Sequence, residues 1–127
     1  MIVLDASVLI AHLDETDAHH ERATALLLDN ADETLAASPL TVAEVLVGPA
    51  RAGTIDAAQA ALAALAVTSV PLTAEAPARL AVLRATCRLR LPDCCVLLAA
   101  ETAQADIATF DDKLARAAAQ IGRAVVD

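Results

Sequence analysis

Four acidic residues fall at places in this chain where carboxylates can act together. Asp5 closes the apolar run Ile2-Val3-Leu4, and Asp111 ends Thr109-Phe110-Asp111 just after Ile107-Ala108. Asp93 lies in the first turn of a helix opened by Leu91-Pro92, and Glu44 sits among Val42, Ala43, Val45, Leu46 and Val47. An aspartate at a strand end or a first helical turn often does no more than cap backbone N–H groups and suit the helix dipole. Glu44 has no such excuse, because an unpaired carboxylate in apolar surroundings is costly and needs a partner. If the four acids meet, they repel one another unless a cation neutralises them. Hard oxygen donors select Mg2+ or Mn2+ over zinc. Such a cation, alone or as one of a pair, activates water and steadies charge at a phosphate, which is the chemistry of phosphodiester cleavage.

The elements needed to bring these acids together can be read from the pattern. Ile2–Leu4 reads as a strand, and residues 6–13 carry Val8, Leu9, Ile10 and Leu13 at helical spacing. Asp17 is a candidate cap for a second helix with Ala23, Leu26 and Leu27 as its apolar stripe, followed by a strand over Thr34–Ala37. Ser38-Pro39 is a hydroxyl cap followed by proline, and predicts a helix through Glu44 that stops or bends at Gly48-Pro49. Thr54 or Asp56 starts an Ala-rich helix to about Ala66, Val67–Leu72 reads as a third strand, and Thr73 to about Leu89 as a long helix. Helix then restarts at Leu91 and runs to about Ala105; Ile107–Thr109 is a brief strand, Asp111–Ile121 a helix and Ala124–Val126 a closing strand. Strands alternating with helices predict an α/β domain over residues 1–127, with a mostly parallel sheet of about four to five strands flanked by helices. In such sheets ligands bind beyond the carboxyl ends of the strands, where Asp5 and Asp111 project and where Asp93 and Glu44 arrive if their helices pack beside the central strands.

Composition narrows the function. A chain of 127 residues with 57 % apolar content folds around one sizeable core. Phe110 is its single aromatic residue, so the stacking platforms of single-strand binding modules are missing. A net charge of −8 argues against non-specific nucleic-acid binding unless several acids form one metal site; it also suits a basic protein partner. Met1 leads directly into the first strand without a basic leader, and the longest apolar stretch, Ala60–Val67, is eight residues, so a cytoplasmic, non-membrane protein is expected. Cys87, Cys94 and Cys95 match no zinc spacing and read as buried thiols. His12, His19 and His20 lie among Asp14, Glu15, Asp17 and Glu21 and read as surface residues. Arg79, Arg84, Arg88 and Arg90, with Lys113 and Arg116, form the main basic patch; Arg84 and Arg88, one turn apart, are expected to share a helix face. Residues 57–66 have Gln59 as their only polar side chain, which suits burial in the core or under a partner equally.

Taken in order, four segments resemble the motifs of PIN domains. They are Ile2-Val3-Leu4-Asp5-Ala6-Ser7, Thr41-Val42-Ala43-Glu44 with Gly48, Leu91-Pro92-Asp93, and Thr109-Phe110-Asp111-Asp112-Lys113-Leu114. The length resembles that of the single-domain VapC toxins within this family. The resemblance implies metal-site acids at Asp5, Glu44, Asp93 and Asp111, with Ser7, Thr109 and Asp112 in support; Asp111, which completes the Thr-x-Asp spacing, is favoured over Asp112 as the inner ligand. It implies an Mg2+-dependent endoribonuclease, Mn2+ substituting, that cuts tRNA or ribosomal RNA as the toxin of a type II toxin–antitoxin pair. A cognate VapB-type antitoxin and a homodimer belong to the same expectation; the basic cluster itself offers Arg84, Arg88, Arg90 and Lys113 as RNA contacts or, equally readable, as a solvated face that pairs with the many acids. Cys94-Cys95 stands where the family's third motif more often continues with Ala and an aliphatic residue. Two rival readings remain: a PIN-like module that binds protein or RNA without cleaving it, and a phosphoacceptor receiver domain. The full set of acids speaks against the first. The second lacks both an acidic pair at the first strand's end and a lysine after the last strand.

Overall fold

The computed structural model describes residues 1–127. In chain order its elements are β1 (Ile2–Leu4), α1 (Ala6–Leu13), α2 (His20–Asp29), β2 (Leu35–Ala37), α3 (Pro39–Ala52) and α4 (Ile55–Ala64). They continue with β3 (Thr68–Ser69), α5 (Ala76–Cys87), α6 (Leu91–Ala103), β4 (Asp106–Ala108), α7 (Asp112–Gln120) and β5 (Val125–Val126). The five strands form one sheet in the order β3-β2-β1-β4-β5, every neighbouring pair parallel. Chain order reverses between β1 and β4, so the crevice between their carboxyl ends is the topological switch point.

Alternation along the strands builds a core on each face of this sheet. Ile2 and Leu4 of β1 pack with Val8, Leu9, Leu26, Leu27, Val45 and Leu62 on the side of α1 to α4. Val3, between them, faces the opposite way and joins Leu83, Val96, Leu97, Leu114 and Ala118 of α5, α6 and α7. Residues 107 and 108 split in the same manner, Ile107 to one core and Ala108 to the other. The result is a three-layer α/β/α domain whose central strands, buried on both faces, read as continuous apolar runs.

Several boundaries differ from the sequence reading for definable reasons. Helix α3 does not stop at Gly48-Pro49 but continues to Ala52 and closes on Gly53, in the left-handed region at φ 74°. A proline disfavours helix partly by crowding the Cβ of the residue before it, and Gly48 has none. Strand β3 is shorter than Val67–Leu72: pairing reaches Val70, whose amide bonds the Ala37 carbonyl at 2.9 Å, and Pro71 has no N–H to extend it. Asp17 does not cap α2; its side chain and carbonyl instead take the amides of His19 and His20 in the preceding turn. Helix α5 ends at Cys87, with Arg88 left-handed at φ 56°, so Arg84 and Arg88 do not share a helix face.

Candidate active site

Each acid reaches the switch point by a separate route. Asp5 follows β1, where its amide donates to the Ala108 carbonyl at 2.9 Å and carries the β1–β4 pairing one residue beyond the strands. It stands at the cap position of α1, yet its side chain makes no capping hydrogen bond. Instead, Asp5 Oδ2 accepts from Ser7 Oγ at 2.6 Å and from Thr109 Oγ1 at 2.8 Å. Each hydroxyl is fixed in turn by a backbone amide: Ser7 Oγ accepts from Phe110 N and Thr109 Oγ1 from Asp111 N, both at 3.0 Å. Through these bonds the loop after β4 is stitched to the end of β1. Both hydrogen bonds fall on Oδ2, which leaves Oδ1 of this 6 % exposed residue for a group arriving from outside.

Asp111 is solvent-facing and caps α7, its Oδ1 accepting from Leu114 N at 2.9 Å. Asp93 lies in the first turn of α6 with 16 % of its side chain exposed, and Glu44 is half-buried on α3. Electrostatics show that the acids are neighbours. Burial pushes the Glu44 carboxyl above its ordinary value, and the charges of Asp5 and Asp93 push in the same direction. Asp93 is also raised, first by burial and then by Asp5 and Asp111, while the Arg90 guanidinium pulls it down. Asp111 is therefore the acid of its pair whose charge reaches Asp93; Asp112 heads α7 and is exposed.

The acids are gathered but not closed: no three His, Cys, Asp or Glu side chains stand close enough to grip an ion as they are placed. A divalent cation nonetheless fits the donors present. They are hard carboxylate oxygens, two of them strained by burial and by like charge. Mg2+ is normally held by one or two carboxylates with water completing its shell, so a tight protein cage is not required. Clefts open on two sides, one of about 440 Å3 beside Glu44, Ile10, Leu13 and Pro49, the other of about 240 Å3 beside Thr109, Phe110, Asp111 and Arg22.

The remaining expectations divide. Arg84, Arg88, Arg90 and Lys113 are all exposed; Arg84 Nη1 donates to the Leu89 carbonyl at 2.7 Å and borders a shallow depression with Arg88. Arg79 leaves the basic patch, because its guanidinium is paired with the Glu101 carboxylate across α5 and α6. Cys94 and Cys95 are buried and burial pushes their thiols up, so neither is a ready thiolate. The surface reading of the histidines holds for His19 only. His12 and His20 are half-buried and join α1 to α2 through Thr24 Oγ1 and the Ala11 carbonyl.

Sequence reasoning passed over two features. Arg22 lies over the Phe110 ring at 4.5 Å and pairs with Asp127, at the rim of the Asp111 cleft. No local spacing links residues so far apart. The other is Arg90 Nε, 3.6 Å from Asp93 Oδ2, for which the i,i+3 separation was a usable signal.

Fold and site together define a class: a parallel α/β domain with carboxylates collected at the switch point of its sheet. The chain belongs to the PIN domain family, whose sequence profile matches residues 2–120. A search of curated protein sequences finds no match. Among solved structures the fold is similar to a toxin–antitoxin complex from Klebsiella pneumoniae (TM-score 0.76, 23 % identity, covering 100 % of this chain and 97 % of that one). FitAcB from Neisseria gonorrhoeae is similar over the same shares, at TM-score 0.74 and 23 % identity. The sarcin–ricin-loop-cleaving toxin VapC20 of Mycobacterium tuberculosis matches at TM-score 0.69 and 18 % identity, over 92 % of this chain and 95 % of that one.

Proposed function

We propose that this chain is a divalent-metal-dependent endoribonuclease, the toxin of a VapBC-type pair, acting in the cytoplasm on tRNA or ribosomal RNA and restrained by a cognate antitoxin. The observation that carries the reading is the chain of carboxylates at the carboxyl edge of β1 and β4, in which Asp5 and Asp93 act on Glu44 and Asp5 and Asp111 act on Asp93. Membership of the PIN domain family supports the nuclease class. Similarity to toxin–antitoxin complexes, and to a toxin described as cutting the sarcin–ricin loop, supports the biological setting.

In this reading Asp5, Glu44, Asp93 and Asp111 hold Mg2+ or Mn2+. When bound, the cation supplies positive charge against the phosphate and acidifies the attacking water. Ser7 and Thr109 keep Asp5 in one orientation, so the carboxylate would be held ready for the cation without a rotamer search. Asp111 keeps one oxygen on the α7 amide and presents the other to the cleft. Arg84, Arg88 and Lys113 contribute phosphate contacts that position RNA and carry no sequence information. A second copy covers part of the exposed apolar surface, which includes Leu72, Val82 and Leu91.

The test is incubation of total RNA with purified chain in Mg2+, Mn2+ or EDTA, beside Asp5→Asn. Discrete metal-dependent fragments that disappear in the variant support the proposal, and sizing of the same sample reads the oligomer. The open spacing of the acids favours a second reading, a PIN-like module that binds without cutting. Absence of cleavage by folded, partner-free protein in both metals would select it.

A further inference from the structure

One cation at the site is placed against the local field. Arg90 flanks the N-terminal end of α6, where the helix dipole is positive and a guanidinium has the wrong sign. Its side chain is 75 % exposed and is free to extend into solvent. Its Nε nevertheless lies 3.6 Å from Asp93 Oδ2. The Asp93 carboxylate, and not the helix dipole, accounts for this position. Three other arginines are engaged elsewhere: Arg79 with Glu101, Arg84 with the Leu89 carbonyl, Arg22 with Asp127.

We propose that Arg90 is the site's own counter-ion, paired with the Asp93 carboxylate until a divalent cation displaces it. It thus competes with the metal, and on displacement its guanidinium is released at the mouth of the site, where an RNA phosphate arrives. This rests on the metal-dependent reading above and adds to the sequence expectation of Arg90 as an RNA contact. The exchange is favourable because a monovalent guanidinium at 3.6 Å, mostly in water, holds its partner weakly, whereas a divalent ion can serve several carboxylates together. A positive charge left near the ion penalises metal binding, so removing that charge tightens it.

The experiment is Mn2+ titration of the RNA-free protein, followed by calorimetry or by the free-Mn2+ electron paramagnetic resonance signal, in wild type, Arg90→Gln and Arg90→Lys. Arg90→Gln is expected to bind Mn2+ roughly three- to tenfold tighter, as screened charges a few ångströms apart imply, with Arg90→Lys near wild type. In EDTA, Arg90→Gln is expected to melt below wild type, and saturating Mn2+ to raise its Tm by more than it raises that of wild type. Mn2+ affinity unchanged or weakened in a folded Arg90→Gln, with wild type binding normally, overturns the counter-ion role and leaves the metal site standing. Absence of Mn2+ binding by wild type overturns the metal site itself and this inference with it.

Discussion

Asp5 and Asp111 both stand at helix cap positions, but only Asp111 caps; Asp5 gives its bonded oxygen to Ser7 and Thr109. Substitutions therefore separate. Asp5→Asn keeps an oxygen that accepts from both hydroxyls and loses the charge. Cleavage should disappear while the Tm in EDTA stays level or rises, since one repelling charge has gone; gel assay and thermal melts read the two effects. Thr109→Val removes a donor to Asp5 and the acceptor of the Asp111 amide together. It should cost roughly 10–100-fold in metal affinity or activity, as loss of an orienting group does, read by Mn2+ titration. The pH dependence follows from Glu44 and Asp93, raised from ordinary values of 4.5 and 3.8. Because the folded protein holds these protons more tightly than the unfolded chain, their destabilising effect grows as pH rises from the unfolded values through the raised folded ones. Metal-free protein should accordingly lose this contribution to stability on leaving that acidic window upward. Metal must displace the same protons, so Mn2+ affinity should fall as pH drops through the raised values of Glu44 and Asp93. Titrations at several pH values, in wild type and Glu44→Gln, check it.

At the scale of elements, helix ends separate what short-range pattern can show from what it cannot. Ser38-Pro39 starts α3 as its residue types require, the Ser38 hydroxyl accepting from the Leu40 amide. Of the stop or bend that Gly48-Pro49 signals, the stop is made instead by Gly53, with its left-handed backbone. Nothing lies within 4 Å of a Cβ built on Gly53, so Gly53→Ala meets only backbone strain. It should cost about 1 kcal/mol. Helix α6 ends in the same left-handed geometry but on a residue with a side chain, Gln104 at φ 51°, exposed to solvent. Gln104→Gly should raise stability by about 0.5–1 kcal/mol by removing that strain. Urea denaturation of the metal-free protein measures both.

Across the whole molecule, the undecided helix α4 divides its roles. Ala58 and Leu62 enter the core, while Ala57, Ala60, Ala63 and Ala64 face outward. Ala63 borders a cleft of about 350 Å3 with Pro39, Val42 and Val67. If an antitoxin helix covers this face, Ala63→Arg should leave stability within about 0.5 kcal/mol yet abolish co-purification with the partner and inhibition by it. Retained inhibition would place the partner elsewhere. No helix is long and apolar enough to cross a membrane.

The sequence alone determined the alternation of strands and helices, the parallel sheet, and the residues at its carboxyl edge. Those follow from apolar period, cap chemistry and strand-end position, all written within a few residues of one another. Ser7 and Thr109 were legible as hydroxyls beside acids, though not the shared oxygen of Asp5 on which they converge across 102 residues of chain. Only the tertiary structure decided which charges face one another: that Asp5 and Asp93 both act on Glu44, that Arg79 is taken up by Glu101, and that Arg22 reaches Asp127 over the Phe110 ring. The physical reason is range. Backbone preference acts over a turn or two, whereas the field at a carboxylate sums over every charge and every buried surface that the packed sheet and helices bring near it.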